Sequence, residues 1–401
     1  MLDLMGAGTS TRILWVSHEI PDRNMGGGSI RQYHLLRALA NRAQVDLLLV
    51  GQLKDTELRE ELHNVTELDC PAYRSSWRRR VGNLRALLPG GPPSEVESDS
   101  AVVNLLRGHL RDVSDYRLVQ IEHEGLARLL PQQRSAVWAI TLHNLTSVWS
   151  GQRATLSKKR RVRWLHQTDV RHARRLEHWI VGNYDVTIAV SEEDCKALGG
   201  GAVVVPNGVD LNGFVISPLP SAPRVVFTGS FNWLPNIDGA QWLCREVLPR
   251  VRAEIPEATF ILVGRDPHER VRGLGAIPGV ELHFDVPTVA PFLQSARAAL
   301  VPLRMGSGTR LKALEAMAAE RPLAGTSIGL EGLGLRDGYS AAIADTSESL
   351  AAAIVRLCRE DDYAAQLSRN ARRLAESRFS WDGIAGSYVD TILSASSRQR
   401  Q

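Results

Sequence analysis

The stretch "AALVPLRMGSGTRLKALEAMAAERPLAGT", Ala298 to Thr326, decides the architecture. Its apolar opening, Ala298 to Leu303, reads as a strand. Gly306, Ser307, Gly308 and Thr309 then turn the chain, an amphipathic helix follows from about Thr309, and "PLAGT" begins another strand. Strand, glycine turn, helix and strand make the repeating unit of a parallel sheet covered on both faces. A helix that opens in glycines offers free N–H groups and partial positive charge, and lets a phosphate approach the backbone. The Thr309 hydroxyl is placed to cap it. Arg310 and Lys312 add cations beside that anion site. Glu315, on the next turn, is a carboxylate of the kind that accepts from both hydroxyls of a ribose diol. These residues fit a nucleotide diphosphate site. Local chemistry alone also allows an ordinary strand-to-helix turn with a surface Lys–Glu pair.

The same alternation runs through the chain. "RILWVS" (Arg12 to Ser17), "VDLLLV" (Val45 to Val50), "LVQI" (Leu118 to Ile121), "AVWAIT" (Ala136 to Thr141), "VTIAV" (Val186 to Val190) and "AVVVP" (Ala202 to Pro206) read as one set of strands. "VVFTG", "TFILVG", "VELHF", "AALVPL" and "PLAGT" read as a second, and helical patterns separate most of them. Two series predict two doubly wound α/β domains, which suits 401 residues. The turn-rich segment Asn207 to Arg224 reads as the linker. Ligands of such sheets lie beyond the carboxyl ends of the strands, so the expected site is a cleft between the domains.

Bulk composition narrows the class. Hydrophobic residues make up 44 % and charged residues 23 %, ordinary globular usage, and the formal charge of +4 does not by itself call for nucleic acid. No apolar run reaches membrane-spanning length, and the N-terminus lacks a signal-peptide layout, so a cytoplasmic protein is expected. Cys70, Cys195, Cys244 and Cys358 are scattered, without a CxxC pair, and read as reduced thiols.

Gly26, Gly27 and Gly28 follow the first strand with Ser29. They suit a phosphate cradle or close approach of an acceptor; the plainer alternative is a loop with Ser29 capping the next helix. GxGxxG spacing is missing, which argues against a dinucleotide fingerprint. Glu122 and Glu124 in "QIEHEG" are acid candidates, or members of a satisfied loop. Two basic stretches, Arg153 to Trp179 (expected as one long helix) and Tyr73 to Pro89, read first as solvated faces. Their sharper reading is contact with an anionic membrane surface or acceptor.

The ordered set of motifs resembles the GT-B glycosyltransferases of group one, glycosyltransferase family four. "MGGGSIRQYHLLRALA", "IEHEGLARLLP", "LHNLTSVWSGQR", "VSEEDCKAL", "VVVPNGVD", "FTGSFNWLPNIDGAQWL", "GTRLKALEAMAAERPLAGTSIGLEGL" and "FSWDGIAGSYVDTIL" occur in family order. The resemblance implies two Rossmann-like domains facing across a cleft. Residues 1–210 would form the acceptor domain, completed by the final helix, 380–401, and residues 211–379 the donor domain. It implies retaining, metal-independent transfer of a sugar from a nucleotide-sugar co-substrate to a hydroxyl of a polysaccharide, lipid-linked sugar or small metabolite, with no further cofactor. The absence of any Asp-x-Asp agrees with metal independence.

Carried over residue by residue, Glu315 would bind the ribose. Arg310, Lys312 and the amides after Gly308, at Thr309 onward, would hold the diphosphate. Gly229 and Ser230 would close on it, Asp285 and Val286 would flank the base, and His143 would face the donor sugar. Two departures stand out. Ser307 occupies the place of a common glutamate, and "GSFNWLPNIDG" lacks the usual arginine and lysine. A nucleotide-sugar epimerase or hydrolase of the same fold, or a non-catalytic nucleotide-sugar-binding subunit, are the rival readings.

Overall fold

The structure, a computed structural model, describes residues 11–23, 25–70, 100–156 and 159–398. The opening Met1–Ser10, the proline- and glycine-rich segment Arg74 to Asp99, which reads in sequence as a loop or helix–loop insertion, and the basic run Tyr73–Pro89 lie outside the described residues. The chain divides into two compact units, Met1–Val205 with Ala385–Gln401, and Pro206–Ile384.

The first unit holds β1 (Arg12–Ser17), β2 (Gln44–Val50), β3 (Asn64–Leu68), β4 (Leu118–Glu122), β5 (Val137–Leu142), β6 (Val186–Ala189) and β7 (Val203–Val204). They form one sheet in the order β3-β2-β1-β4-β5-β6-β7, with every pair parallel. β4 and β5 are buried along their whole length, as apolar strands covered on both faces must be. Trp15 and Trp138 are fully buried in its core. From Ala385 the last helix, Trp381–Arg398, belongs to this unit. Tyr388 meets Trp15 edge-on, with ring centroids 6.1 Å apart, and Asp390 pairs with Arg42 at 2.6 Å.

The second unit holds β8 (Arg224–Ser230), β9 (Thr259–Arg265), β10 (Val280–Phe284), β11 (Ala298–Val301), β12 (Leu323–Gly325) and β13 (Ala342–Ile343). Their order is β10-β9-β8-β11-β12-β13, again with every pair parallel. Each sheet reverses strand order once, between β1 and β4 and between β8 and β11, and a ligand crevice opens at the carboxyl ends of such a switch point.

The structure departs from the sequence reading in a few places. β3 was too polar to expect: it is a half-buried edge strand whose Glu67 carboxylate accepts from the Leu53 N–H at 2.7 Å. β13, with two residues, was too short. The first glycine-flanked helix starts at Gly27, with Gly26 before it, so Gly27 and Gly28 lie in its first turn and Ser29 does not cap it. The Ser29 hydroxyl donates to Glu19 instead, at 3.2 Å. The stretch expected as one long basic helix is shared between two, Thr146–Leu156 and Arg160–Asn183, which pack on each other as one continuous helix could not.

One backbone contact fixes the carboxyl ends of β8 and β9. Gly229 and Gly264 are paired in register, and a Cβ on Gly264 would lie 1.7 Å from the Gly229 carbonyl oxygen. No side chain fits there without parting the strands. Gly264→Ala is expected to destabilise the chain by about 1–3 kcal/mol, the usual cost of forced overpacking. Urea denaturation followed by tryptophan fluorescence checks it; an unchanged midpoint would show that the strands part freely.

Candidate functional site

In the second unit Gly229, Ser230 and Lys312, three of the expected donor residues, come together at the carboxyl end of β8. The helix Leu311–Ala318 directs Lys312 back toward Gly229. The ammonium donates to Asn236 Oδ1 at 2.5 Å and lies 4.7 Å from the centroid of the Phe227 ring. A Cβ at Gly229 would stand 2.7 Å from the Asn236 amide nitrogen and 2.9 Å from Lys312 Nζ, so only glycine leaves this recess open. Asn236, buried on the helix Leu234–Trp242, donates from Nδ2 to the Ser230 carbonyl at 2.8 Å. Glu315 lies one turn beyond Lys312. Both keep some exposed surface, yet protein atoms crowd their charged heads. Burial, with the neighbouring Arg310, pulls the Lys312 ammonium down to about 7 against the pull of Glu315. Burial pushes the Glu315 carboxyl up to about 7, against the opposing charges of Lys312 and Arg265.

Arg310 is placed differently from Lys312. It is buried at the residue before the helix, and its guanidinium donates to the Ser307 carbonyl and, at 3.3 and 3.4 Å, to the Ile328 carbonyl. It folds over Gly306, whose φ of +135° suits glycine, and thereby braces the loop carrying Ser307 and Gly308. The expected Thr309 cap is not formed. The helix starts two residues later, and the Thr309 hydroxyl accepts from the Asn207 N–H at 3.5 Å. Asp285 and Val286 follow β10. Asp285 has a φ of 57°, Asp266 after β9 has 49°, and the Asp266 N–H donates to the Asp285 carboxylate at 3.2 Å.

In the first unit, His143 follows β5 and bonds through Nε2 to Glu122 Oε2 at 2.8 Å. The other Glu122 oxygen accepts from Gln120 Nε2 at 3.0 Å and from the Thr141 hydroxyl at 2.9 Å. The sequence left Glu122 open between acid candidate and satisfied loop; it is the carboxylate that orients His143. Glu124 is buried, and burial raises its carboxyl to about 7. Glu19 lies against Gly28, where a Cβ would stand 2.1 Å from Glu19 Oε2. Gly28 therefore admits a neighbouring carboxylate, and Arg31 is buried one helical turn further on.

Two residues of this cluster escaped the sequence reading. His18 lies edge-on to His123, which stacks on His143, with centroids 5.2 and 6.1 Å apart. His123 holds a φ of 91°, rare for a residue with a side chain. Their signal was positional: His18 directly follows β1 and His123 directly follows β4. Arg265 at the end of β9 was missed in the same way. Among the described residues, no group of three or more His, Cys, Asp or Glu is arranged to hold a metal ion.

Electrostatics separate the three imidazoles. Burial and the neighbouring imidazoles bring His18 down to about 3 and His123 down to about 4. Burial also opposes charge on His143, but the hydrogen bond and charge of Glu122 outweigh it and raise its pKa. His143 is therefore expected to titrate above the other two. Glu122→Gln removes the carboxylate charge, so the His143 titration should move to lower pH while His18 and His123 stay neutral. Two-dimensional NMR of the imidazoles checks this, and an unmoved His143 titration would disprove the pairing.

Comparison with known proteins places this geometry. Residues 222–360 match the family model described as "Glycosyl transferases group 1". The phosphatidyl-myo-inositol mannosyltransferase of Mycolicibacterium smegmatis is 27 % identical over 218 residues, 51 % of this chain and 55 % of the relative. That of Mycobacterium tuberculosis is 29 % identical over 174 residues, 41 % and 45 % of the two chains. The chain thus spans about half the length of the curated relatives it matches. Among solved structures, a sucrose-phosphate synthase from Thermosynechococcus elongatus superposes with a TM-score of 0.72 at 19 % identity, covering 96 % of this chain and 100 % of that one. Anabaena Alr3699/HepE, in complex with UDP and glucose, gives 0.66 at 17 % identity and covers 96 % and 100 %. WaaG, a glycosyltransferase involved in lipopolysaccharide biosynthesis, gives 0.64 at 13 %, covering 95 % and 99 %. The chain has the GT-B fold of two parallel-sheet α/β units, and its second unit carries a group 1 glycosyltransferase domain.

Proposed function

We propose that the protein is a retaining, metal-independent glycosyltransferase of family four that moves a sugar from a nucleotide-sugar donor to a hydroxyl of a sugar, lipid-linked or small-molecule acceptor. The observation that carries this is the crowded Lys312 ammonium beside Gly229, electrostatically linked to Glu315 one helical turn on, in a segment matching the group 1 glycosyltransferase model. Glu315 accepts from the ribose diol. Lys312 and the backbone of Gly229, Ser230, Gly308 and Thr309 hold the diphosphate, while Arg310 keeps the Ser307 loop in shape beneath it. Asp285 and Val286 flank the base. His143, oriented by Glu122, faces the donor sugar, and the Gly26–Gly28 helix start receives the acceptor.

Among the described residues no carboxylate stands out as a nucleophile, and the chemistry proposed is the front-face displacement that the family resemblance implies. The anomeric carbon–oxygen bond to the diphosphate breaks, the acceptor oxygen bonds to the anomeric carbon on the same face, and the acceptor proton passes to the departing phosphate oxygen. Donors aimed at that phosphate stabilise the transition state without reorganising. The mannosyltransferase names of the relatives and the UDP-glucose complex of the Anabaena protein make GDP-mannose and UDP-glucose the first donors to try. Product analysis with and without acceptor separates transfer from hydrolysis or epimerisation; binding without turnover under any condition would leave a binding subunit.

The helix Arg160–Asn183 supports a peripheral partner. Trp164 is 63 % exposed, and Val162 and Leu165 are exposed beside Arg160, Arg161 and Arg163. Apolar side chains among cations suit an anionic lipid surface, expected on the cytoplasmic side. Among the described residues no helix is long and apolar enough to cross a membrane. Trp164→Ala should reduce co-sedimentation with phosphatidylglycerol vesicles several-fold; equal co-sedimentation would remove this partner.

Donor binding has a worked pH signature. Glu315 must be ionised to accept both ribose hydroxyls, so with its pKa raised to about 7 affinity falls as pH drops below neutrality. Lys312 must be protonated to hold the diphosphate, so with its pKa lowered to about 7 affinity falls as pH rises above neutrality. Calorimetric titration with a nucleotide sugar, whose diphosphate does not itself titrate there, should give a maximum near neutral pH. Glu315→Gln should weaken binding by roughly one to two orders of magnitude, about 1.5–3 kcal/mol for a charged hydrogen bond, and flatten the acid limb. The loss should shrink for a dideoxyribose ligand. Simple additivity of the mutation and the missing hydroxyls would return Glu315 to a helix-surface role.

A further inference from the structure

The diphosphate-binding region has one polar group whose task the proposed reaction does not state. Asn236 is 3 % exposed, on the helix that follows β8, and has a partner on each side of its amide. Nδ2 donates to the Ser230 carbonyl at 2.8 Å, and Oδ1 accepts from Lys312 Nζ at 2.5 Å. Only this orientation works: turned over, the amide would set N–H against an ammonium and carbonyl against carbonyl. The two partners come from different parts of the chain, one from the loop after β8 and one from the helix after β11. The Asn236 amide nitrogen and the Lys312 ammonium both lie over Gly229, whose missing side chain gives them their room.

We propose that Asn236 is a positioning residue of the donor site: its amide ties the Ser230 loop to Lys312 and holds that ammonium over Gly229, where the donor's diphosphate would lie. The inference rests on the donor-site reading above. An asparagine suits the task because it is neutral. It accepts from an ammonium without cancelling its charge, which then remains available to an anion. An aspartate would accept as well, but would neutralise the cation and set a second oxygen against the Ser230 carbonyl. A leucine of similar size would bury the ammonium beside apolar atoms with nothing to accept from it.

The surroundings of Lys312 leave this role to Asn236. The Phe227 ring lies beneath the ammonium. Arg310 disfavours its charge, and Glu315 favours it from the same helix. Arg265, at the end of β9, acts on Glu315. Arg310 itself is bonded to the carbonyls of Ser307 and Ile328, so it braces the loop and does not fix the ammonium.

The experiment is calorimetric titration of the full chain with UDP-glucose, or with GDP-mannose if the wild type binds that instead. Lys312→Met comes first. If neither donor binds the wild type, or if Lys312→Met binds as tightly as wild type, the donor-site reading fails. If Lys312→Met weakens binding, Asn236 is then tested alone and in that background. Asn236→Ala is expected to lower affinity about tenfold, the loss of one hydrogen bond to a charged group. Adding Lys312→Met to Asn236→Ala should then cost little more, because the ammonium has already lost its place. Additive losses, or wild-type affinity in Asn236→Ala, would overturn the positioning role and leave the donor site standing. A second variant covers a failure of Asn236→Ala to fold. In Asn236→Asp the added carboxylate should move the alkaline limb of the affinity profile to higher pH. A lowered profile with its alkaline limb unmoved would show that Asn236 only supports the fold.

Discussion

The second unit is organised around a place where two backbones have no side chains. Gly229 and Gly264 lie side by side at the carboxyl ends of β8 and β9, so close that a Cβ on one would strike the carbonyl of the other. That approach leaves a floor of bare backbone at the carboxyl ends of β8 and β9, one strand from the switch point. Bare backbone is what an ammonium and an anion can share: it presents amides, excludes competing side chains and keeps the recess narrow. The positions of Lys312, Asn236 and Ser230 follow from it. A side chain at Gly229 would displace both the Asn236 amide and the Lys312 ammonium, so the glycine acts on the charge as much as on the chain's path.

Both units place ionisable groups where burial works against their charge, and each resolves the conflict by pairing. In the first unit Glu122 is fully enclosed, but three donors, His143, Gln120 and Thr141, surround its carboxylate. That satisfied carboxylate then favours the charged form of His143 over its neighbours His18 and His123. In the second unit Lys312 and Glu315 oppose each other's shifts, yet burial prevails for both. Buried charges that a protein's own partners only partly offset are strained as they stand, and an incoming ligand of complementary charge can relieve them. This distinguishes the proposed donor recess from a structural ion pair such as Arg12–Asp46, where the carboxylate also accepts from Tyr116 and meets His63.

Much of this was legible in the sequence, for identifiable reasons. Strands such as Leu118–Glu122 and Val137–Leu142 are buried on both faces, so their apolar runs could not be mistaken for amphipathic surface. The glycine turn before Lys312 and the single Glu315 stand out because they interrupt an apolar helix. Edge strands were harder. Asn64–Leu68 is half-exposed and polar, and pairing in three dimensions, not composition, makes it a strand. Helix starts were misread by two residues in opposite directions, earlier at Gly27 and later at Leu311, because Ser29 and Thr309 resemble caps but bond elsewhere. His18, His123 and Arg265 were missed because each looks unremarkable in its local sequence. Only the strand register brings them to the same edge of a sheet as the residues that were found.

The contrast between Arg310 and Lys312 shows how far side-chain chemistry refines that picture. Two residues apart in sequence, they look like one basic patch for one anion. Their shapes send them to different work. A guanidinium is a planar fork of five donors and suits carbonyls presented from two directions, as Ser307 and Ile328 present theirs. An ammonium is compact, its pKa shifts readily with burial, and it fits a glycine-floored recess between an amide and an aromatic face. Exchanging the two would leave the composition unchanged and spoil both tasks. Lysine has too few directed donors to brace the Ser307 loop, and arginine is too broad for the space above Gly229. The neutral Ser307 fits the same division. With Arg310 already bonded to its carbonyl, the loop is held by its backbone, and a carboxylate in its place would add negative charge beside the region assigned to the diphosphate. The basic pair thus resolves into a loop brace, Arg310, and a recessed ammonium, Lys312, whose charge depends on how closely the surrounding groups and Gly229 shape the space around it.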